Sequence, residues 1–478
     1  MKLTPFAKVF IAVVVLGVIG LAAWHYEGDT IRQMIGGDKG ETGGGSSGGG
    51  GGSKSGGVRK GEVILSLHGS NTLGAKLVPQ LAEEFLKRLG AADVRTFPGA
   101  ESDEFSVRGT LPGDSSPKAI EVKAHGSGTA FNDMASGACD IGMASRRINP
   151  NEAGQLSSLG DMTSLSCEHV LGLDGIAVIV NPSNPIQELT RDQLAKIFSG
   201  EVASWSQVLS PKGTINLYAR DDKSGTYDSF KSLVLGDTPL SGKARRLEDS
   251  SALSDAVASD PDGIGFIGLP YIKSAKAVAI ADAGATPLLP NRTTVASEDY
   301  LLSRRLYLYT AASPQNSYVR KFVEFALSKD GQNVVEQGGF VAQNVRAERE
   351  TVTAAAPSQY KSLTAGAERL SLNFRFKTGS SELDNKALPD LERVIDFAND
   401  LKYSGQNILL LGFADNTGGA SANVALSTQR AQVVADQFKR RGLTPGVVTG
   451  LGSEMPVSSN DTPEGREKNR RVEIWVRK

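Results

Sequence analysis

Cysteine is nearly absent from this chain, with two in 478 residues, and histidine is almost as scarce, with four. Neither Cys139 nor Cys167 has a second Cys or His at ligand spacing, so no metal site is expected around them. An excess of charge of either sign is missing too. The 52 Lys and Arg stand against 53 Asp and Glu, so no global field favours nucleic acid, and any anion site must be built from local groups. With 40% apolar and 22% charged residues, the composition excludes a polytopic membrane protein and a mostly disordered chain. At roughly 100–200 residues per domain the length calls for two to four domains.

Glycine is present in excess and unevenly. Of 54 glycines, 13 fall between Gly36 and Gly57, in GGDKGETGGGSSGGGGGSKSGG. Such a segment cannot bury a core and reads as a flexible tether, with a reach of roughly 25 Å. Before it, Lys2 and Lys8 precede an uncharged apolar run from Val9 to Trp24. Residues 1–35 are therefore expected to be a membrane anchor or a signal segment, the anchor being preferred because Ala22-Ala23-Trp24-His25 is a poor cleavage site. The lysines on the N-terminal side leave the rest of the chain outside the cytoplasm. In that compartment Cys139 and Cys167 read either as a disulfide or as two small buried thiols.

From residue 58 to about 350, apolar runs alternate with helical patterns: Val63–Leu67, Ile120–Ala124, Ile176–Val180, Ile215–Ala219 and Ile264–Ile267. This reads as an α/β domain with largely parallel strands. Residues 351–369 are expected to link it to a separate small α/β domain over 370–478. There Leu388, Leu391, Ile395, Ala398 and Leu401 mark an amphipathic helix, and Ile408–Phe413 a strand.

One local chemistry recurs three times, each time after an apolar strand: His68-Gly69-Ser70-Asn71-Thr72, His125-Gly126-Ser127-Gly128-Thr129 and Lys223-Ser224-Gly225-Thr226. Glycine admits close backbone approach, hydroxyls donate to oxygen, and amides at a helix start carry partial positive charge, so such loops cradle tetrahedral anions. Any one of them reads equally well as a turn or an N-cap. Three in one domain, with Arg220 just ahead of the third to supply a charged fork, favour an anion site. His68 and His125 are expected to end strands and bond to backbone. Arg146 and Arg147 stay open between a solvated pair and site groups, and Asp140 reads as a turn or cap residue. No nucleophile–base pair accompanies Ser127 or Ser224, so no enzyme activity and no cofactor are expected.

The segment LTRDQLAKIFSGEVASWSQV (Leu189–Val208), followed by Arg220-Asp221-Asp222-Lys223-Ser224-Gly225-Thr226 and Asp262-Gly263-Ile264-Gly265-Phe266, closely resembles periplasmic phosphate-binding proteins of ABC importers. The resemblance covers roughly 60–345 and implies a two-lobed periplasmic-binding-protein fold, with the second lobe at about 181–262. It implies phosphate or a similar oxyanion held between the lobes by Ser70, Thr72, Leu73, Ser127, Ser145, Arg220, Ser224, Gly225 and Thr226, and an importer permease as a partner. Where many phosphate binders place an Asp after the Gly-x-Ser of the next strand, this chain has Gly142-Met143-Ala144-Ser145-Arg146. Asp221 or Asp222 is the candidate to restore selection for a protonated anion.

Leu411-Gly412-Phe413-Ala414-Asp415-Asn416-Thr417-Gly418, then Asn423, then Leu426-Ser427-Thr428-Gln429-Arg430-Ala431, and finally Asn469-Arg470-Arg471-Val472-Glu473-Ile474 resemble the OmpA-like peptidoglycan-associating domain. The resemblance implies that Asp415 and Arg430, with Asn423 nearby, grip the diaminopimelate end of a wall peptide. The chemistry is apt, because a zwitterionic end matches one acid and one guanidinium. Phe413 and Ala414 depart from the His and Thr usual there, which removes a hydroxyl beside the Asp. Together these readings predict a periplasmic, membrane-anchored oxyanion binder fixed to peptidoglycan. The alternative is a structural or signalling envelope protein whose two-lobed domain is an interaction module.

Overall fold

The computed structural model describes residues 61–478 apart from 102, 209–212, 223, 378–379 and 381. The expected membrane segment and glycine tether lie outside the described residues. Among those described, no helix is long and apolar enough to cross a membrane.

The larger of the two main sheets runs, in spatial order, Ala92–Pro98, Glu104–Thr110, Lys118–Lys123, Glu62–Gly69, Ile141–Ala144, Ser303–Tyr309, Glu168–Val180, Gly263–Gly268, Asn216–Arg220 and Arg245–Leu247. Glu62–Gly69 pairs in parallel with both of its neighbours, and so does Asn216–Arg220. The other pairings along this order are antiparallel, so the sheet is mixed where largely parallel strands were expected. The reason lies in two strands that cross between lobes. Glu168–Val180, 13 residues long, pairs through its first half with Ser303–Tyr309 and through its second with Gly263–Gly268. Leu171 packs in the first lobe's core and Leu173 in the second's; Leu306 and Leu302 divide in the same way. These two strands form the hinge.

In the first lobe, helix Leu77–Arg88 turns Leu77, Val78, Leu81, Ala82, Phe85 and Leu86 onto the sheet, all buried, as a helical stripe requires. Phe85 meets Phe322 edge-on at 5.3 Å. The second lobe is centred on Phe198, Phe230 and Phe266, the last two stacked at 3.9 Å. Val278, Ile280, Val295, Tyr300, Leu301 and Leu302 fill the same core, so this lobe continues to Leu302 rather than ending near 262. The Gly263–Gly268 strand could not begin a new unit, because it is the ladder partner of the hinge strand's second half.

The C-terminal sheet runs Ala347–Glu348, Ala367–Arg375, Arg471–Arg477, Ile408–Gly412 and Val447–Gly450. Helix Ala387–Asp400 buries Ala387, Leu391, Val394 and Ala398; Leu401, expected on that seam, follows the helix and is 54% exposed. The expected linker 351–369 is part of this fold. It carries helix Ser358–Thr364, and Tyr360 from that helix and Ala356, just ahead of its Pro357 cap, both pack with Phe413 and Trp475. Tyr360 Oη donates to Glu473 Oε2 at 2.9 Å.

The cysteines do not form the bridge held open above. Both are free: Cys167 is buried, and Cys139 is half-buried against the same small cluster. Burial and the nearby Asp133 push the Cys139 thiol up to about 12.

Candidate functional site

The three loops are delivered by strand ends. Glu62–Gly69 ends at Ser70, which precedes a short helix, Asn71–Gly74; Lys118–Lys123 leads to Gly126, whose φ of 104° suits glycine, and to helix Ser127–Ser136; Asn216–Arg220 leads to Ser224 and helix Gly225–Phe230. Hinge closure brings the first and third loops into contact. A Cβ on Gly225 would stand 2.0 Å from Thr72 Oγ1 and 2.7 Å from Thr72 Cα, so only glycine fits there.

Arg304, on the hinge strand, stitches the two loops together. Its Nη2 donates to Thr72 Oγ1 at 2.8 Å and to Gly225 O at 2.9 Å, and lies 3.3 Å from Asp174 Oδ2. This junction divides the cleft into two neighbouring cavities. One, of about 280 Å³, is lined by Thr72, Arg220, Ser224, Gly225, Thr226 and Asp174. The other, of about 460 Å³, is lined by Ser127, Ser145, Arg146, Arg147, Arg304 and Arg305, with Asp228 and Tyr307. Burial lowers the Arg304 pKa against the pull of Asp174, and burial raises that of Asp228 against the pull of Arg304.

Of the predicted anion ligands, Thr72, Arg220, Ser224, Gly225 and Thr226 line the smaller cavity and Ser127 and Ser145 the larger. Ser127 Oγ accepts from the Ser145 amide at 3.0 Å, and its hydroxyl lies 3.3 Å from that of Ser145. Arg220 is oriented by Leu247 O, at 3.3 Å from its Nε, and by Ser250 Oγ. Ser224 occupies a cap position with its hydroxyl making no capping bond. Ser70 and Leu73 are buried and line neither cavity; the Leu73 amide is used on Ser70 O at 3.2 Å.

Several side chains depart from the sequence reading. Arg146 grips Glu152 at 2.6 and 2.8 Å, and Arg147 grips Glu168 at 2.9 and 3.2 Å, so both are positioned cavity walls rather than loose surface charges. His68 and His125 face the carboxylates of Asp133 (2.7 Å) and Glu104 (3.3 Å) rather than backbone. Asp222 is taken by Arg246. Asp140 ties strand to loop by accepting from the Ser66 amide at 2.8 Å. Arg304, Asp174 and Asp228 were not singled out. Arg304 and Arg305 reach the larger cavity because their strand crosses between the lobes.

In the C-terminal domain, Asp415 Oδ1 accepts from Thr417 N at 3.0 Å and from Thr417 Oγ1, and Oδ2 accepts from Arg470 Nη1 at 3.0 Å. Thr417 therefore supplies the hydroxyl that Ala414 lacks. Burial opposes charge on Asp415, but the Thr417 bonds and Arg470 outweigh it and hold the carboxyl below its usual range. Arg430 is buried 5.7 Å from the centre of the Phe376 ring, and its Nε and Nη1 have no partner among the described residues. Burial and then Arg470 pull its pKa down. Asn423 closes the loop by donating to Gly418 O at 2.9 Å. Arg471 lies fully buried over Phe413, bonded to Glu473 at 2.8 Å.

Residues 113–330 match the family described as a PBP superfamily domain, and residues 375–470 match the OmpA family. The phosphate-binding protein PstS of Staphylococcus aureus (strain MRSA252) is 31% identical over 48% of this chain and 71% of its own length. That of Borreliella burgdorferi is 28% identical over 46% of this chain and 79% of its own. A solved structure of a possible phosphate-binding protein from Planctomyces limnophilus is 25% identical, covering 59% of this chain and 93% of that one with a TM-score of 0.48. A chain with this two-lobed hinge architecture and this degree of identity belongs to the PstS phosphate-binding protein family, and carries an OmpA-family domain after it.

Proposed function

We propose that this is an envelope protein that captures phosphate between its two lobes and attaches to peptidoglycan through its C-terminal domain. The observation that carries the first half is the meeting of Thr72 and Gly225, from opposite lobes, around the buried Arg304, with Arg220 and Ser224 beside them. Hydroxyls, amides and guanidinium groups there are suited to a tetrahedral oxyanion, and closure needs only better contacts in the closed state than in the open one. Asp228 supports phosphate over sulfate. Asp228 faces Arg304 from the larger cavity, where its carboxylate can accept the proton of a hydrogen phosphate held at that arginine, whereas sulfate has none to give and is repelled. Calorimetric titration of the full chain should give heat with phosphate and much less with sulfate; silence with both would remove the reading. In the same assay Gly225→Ala should weaken phosphate roughly 10- to 100-fold, because a methyl group inside the Thr72 contact props the lobes apart.

The second half is supported by Arg430. A buried guanidinium with unused donors suits a ligand carboxylate, while the remaining acceptor capacity of Asp415, beside its bond from Arg470, suits the ammonium of the same amino-acid end. Asp415→Ala is expected to leave the protein in the supernatant when it is spun down with purified sacculi; co-sedimentation at the wild-type level would contradict the assignment.

A further inference from the structure

We propose that the Asp384–Asn385 turn of the C-terminal domain latches the closed lobes and positions the arginines that line the larger cavity beside Arg304, so that anion binding and domain docking reinforce each other. This rests on the phosphate reading of the cleft. Two of the arginines lining the larger cavity share carboxylates or carboxylate partners with that turn. Arg305 Nη2 lies 2.7 Å from Asp384 Oδ2, while its Nε donates to both oxygens of Glu298 at 3.0 Å. Arg147 grips Glu168, and Glu168 Oε1 in turn accepts from Asn385 Nδ2 at 3.0 Å. The same Asn385 amide donates to Thr163 O at 2.7 Å. Asn385 is buried, so these bonds form away from bulk water and depend on geometry.

The base of the C-terminal domain is fixed elsewhere. On the second lobe, Asp299 accepts from Arg369 at 2.5 Å, Asn373 at 2.8 Å and Arg375 at 3.3 Å. Asp282 accepts from Ser458 Oγ at 2.7 Å, and Lys468 donates to Leu301 O at 3.2 Å. Thr163 and Glu168, by contrast, belong to the first lobe and to the start of the hinge strand. The domain is therefore held on both lobes, on the second through Asp299 and Asp282 and on the first through Asn385 and through Arg393, whose Nη1 donates to Gln343 Oε1 at 3.1 Å, and this set of bonds fits one lobe angle. The turn's bonds are made in this closed arrangement, and on the proposal whatever favours closure favours them. By linkage the effect is reciprocal. Asp384 and Asn385 are positioning residues: they act through Arg305, Arg147 and the lobe angle.

The test uses the full chain and inorganic phosphate. Asn385→Ala and Asp384→Ala should each weaken phosphate roughly fivefold or more, the low end of ordinary coupling between sites. Asp384→Glu, which keeps the carboxylate, should recover affinity, and sacculus binding should be unaltered in all three. In the wild-type chain, phosphate should slow hydrogen exchange at the Asp384 and Ala387 amides, which are bonded to Arg375 O and Asp384 Oδ1. This measurement decides the matter even where a variant folds poorly. Unchanged affinity in both alanine variants, or exchange at the turn indifferent to phosphate, would overturn the inference while leaving the phosphate site intact. A wild-type chain that takes up no phosphate would overturn the reading of the cleft, and the inference with it.

Discussion

Arg304→Ala is expected to reduce phosphate affinity by about 100-fold, the largest single effect in the cleft. Two losses combine. A buried guanidinium that reaches both lobes is removed, and a hydrogen bond to a charged group is worth roughly 1.5–3 kcal/mol. Asp174, which faces Arg304 and lines the smaller cavity, would then present an uncompensated carboxylate to the incoming anion. Arg304→Lys should fall between, because an ammonium keeps the charge but loses the planar group whose Nη2 reaches Thr72 Oγ1 and Gly225 O while Nε faces Asp174. Calorimetry on the three proteins separates these outcomes, and equal affinity for the alanine variant and wild type would place the anion away from the hinge strand.

The second large effect concerns the junction of the domains. Asp299, buried, faces Arg369, Arg375 and Arg471. Asp299→Ala would leave these cations short of counter-charge in a dry interface, which costs about 3–5 kcal/mol. Urea unfolding that is cooperative in the wild type should split into two transitions as the C-terminal domain undocks. The same group gives a pH dependence. Burial disfavours its charge, yet Arg369, Arg471 and Arg375 outweigh burial and hold its carboxyl near about 2. An unfolded aspartate titrates near ~3.9. The folded state thus binds its proton later, and the contribution, about 2–3 kcal/mol, is complete above the unfolded value and is lost as pH falls from ~4 toward 2. Asp299→Asn should flatten the stability curve across that window when melting is followed at successive pH values.

Local chemistry was legible in the sequence. The stripe of Leu391, Ala398 and their neighbours marks a helix because 3.6-residue spacing is a property of adjacent residues, and the Gly-Ser-Thr loops announce themselves because glycine and hydroxyls are read one position at a time. Asp415 and Arg430 stand in an ordered motif that survives without knowledge of what surrounds them. Arg304 had no such signal. An arginine pair inside a strand pattern looks solvent-exposed until the strand is known to cross between lobes, and the same holds for Asp299, which follows the positive-φ residue Glu298 in what reads as an ordinary polar loop. The boundaries failed for a related reason. The stretch over 351–369 has no sustained period, yet Ala356 and Tyr360 are buried because a sheet from later in the chain comes to cover them.

By itself, then, the sequence determined which short segments become strands, helices and oxyanion-type loops, and which two families' motifs they carry, since each depends on residues close together along the chain. Only the tertiary structure decided that Arg304 bridges Thr72 and Gly225, that the cleft divides there, and that the C-terminal domain is seated on the second lobe with its turn against the first. Those contacts join residues far apart in sequence, and they depend on strand order, on hinge position and on the burial that makes a charge seek a partner.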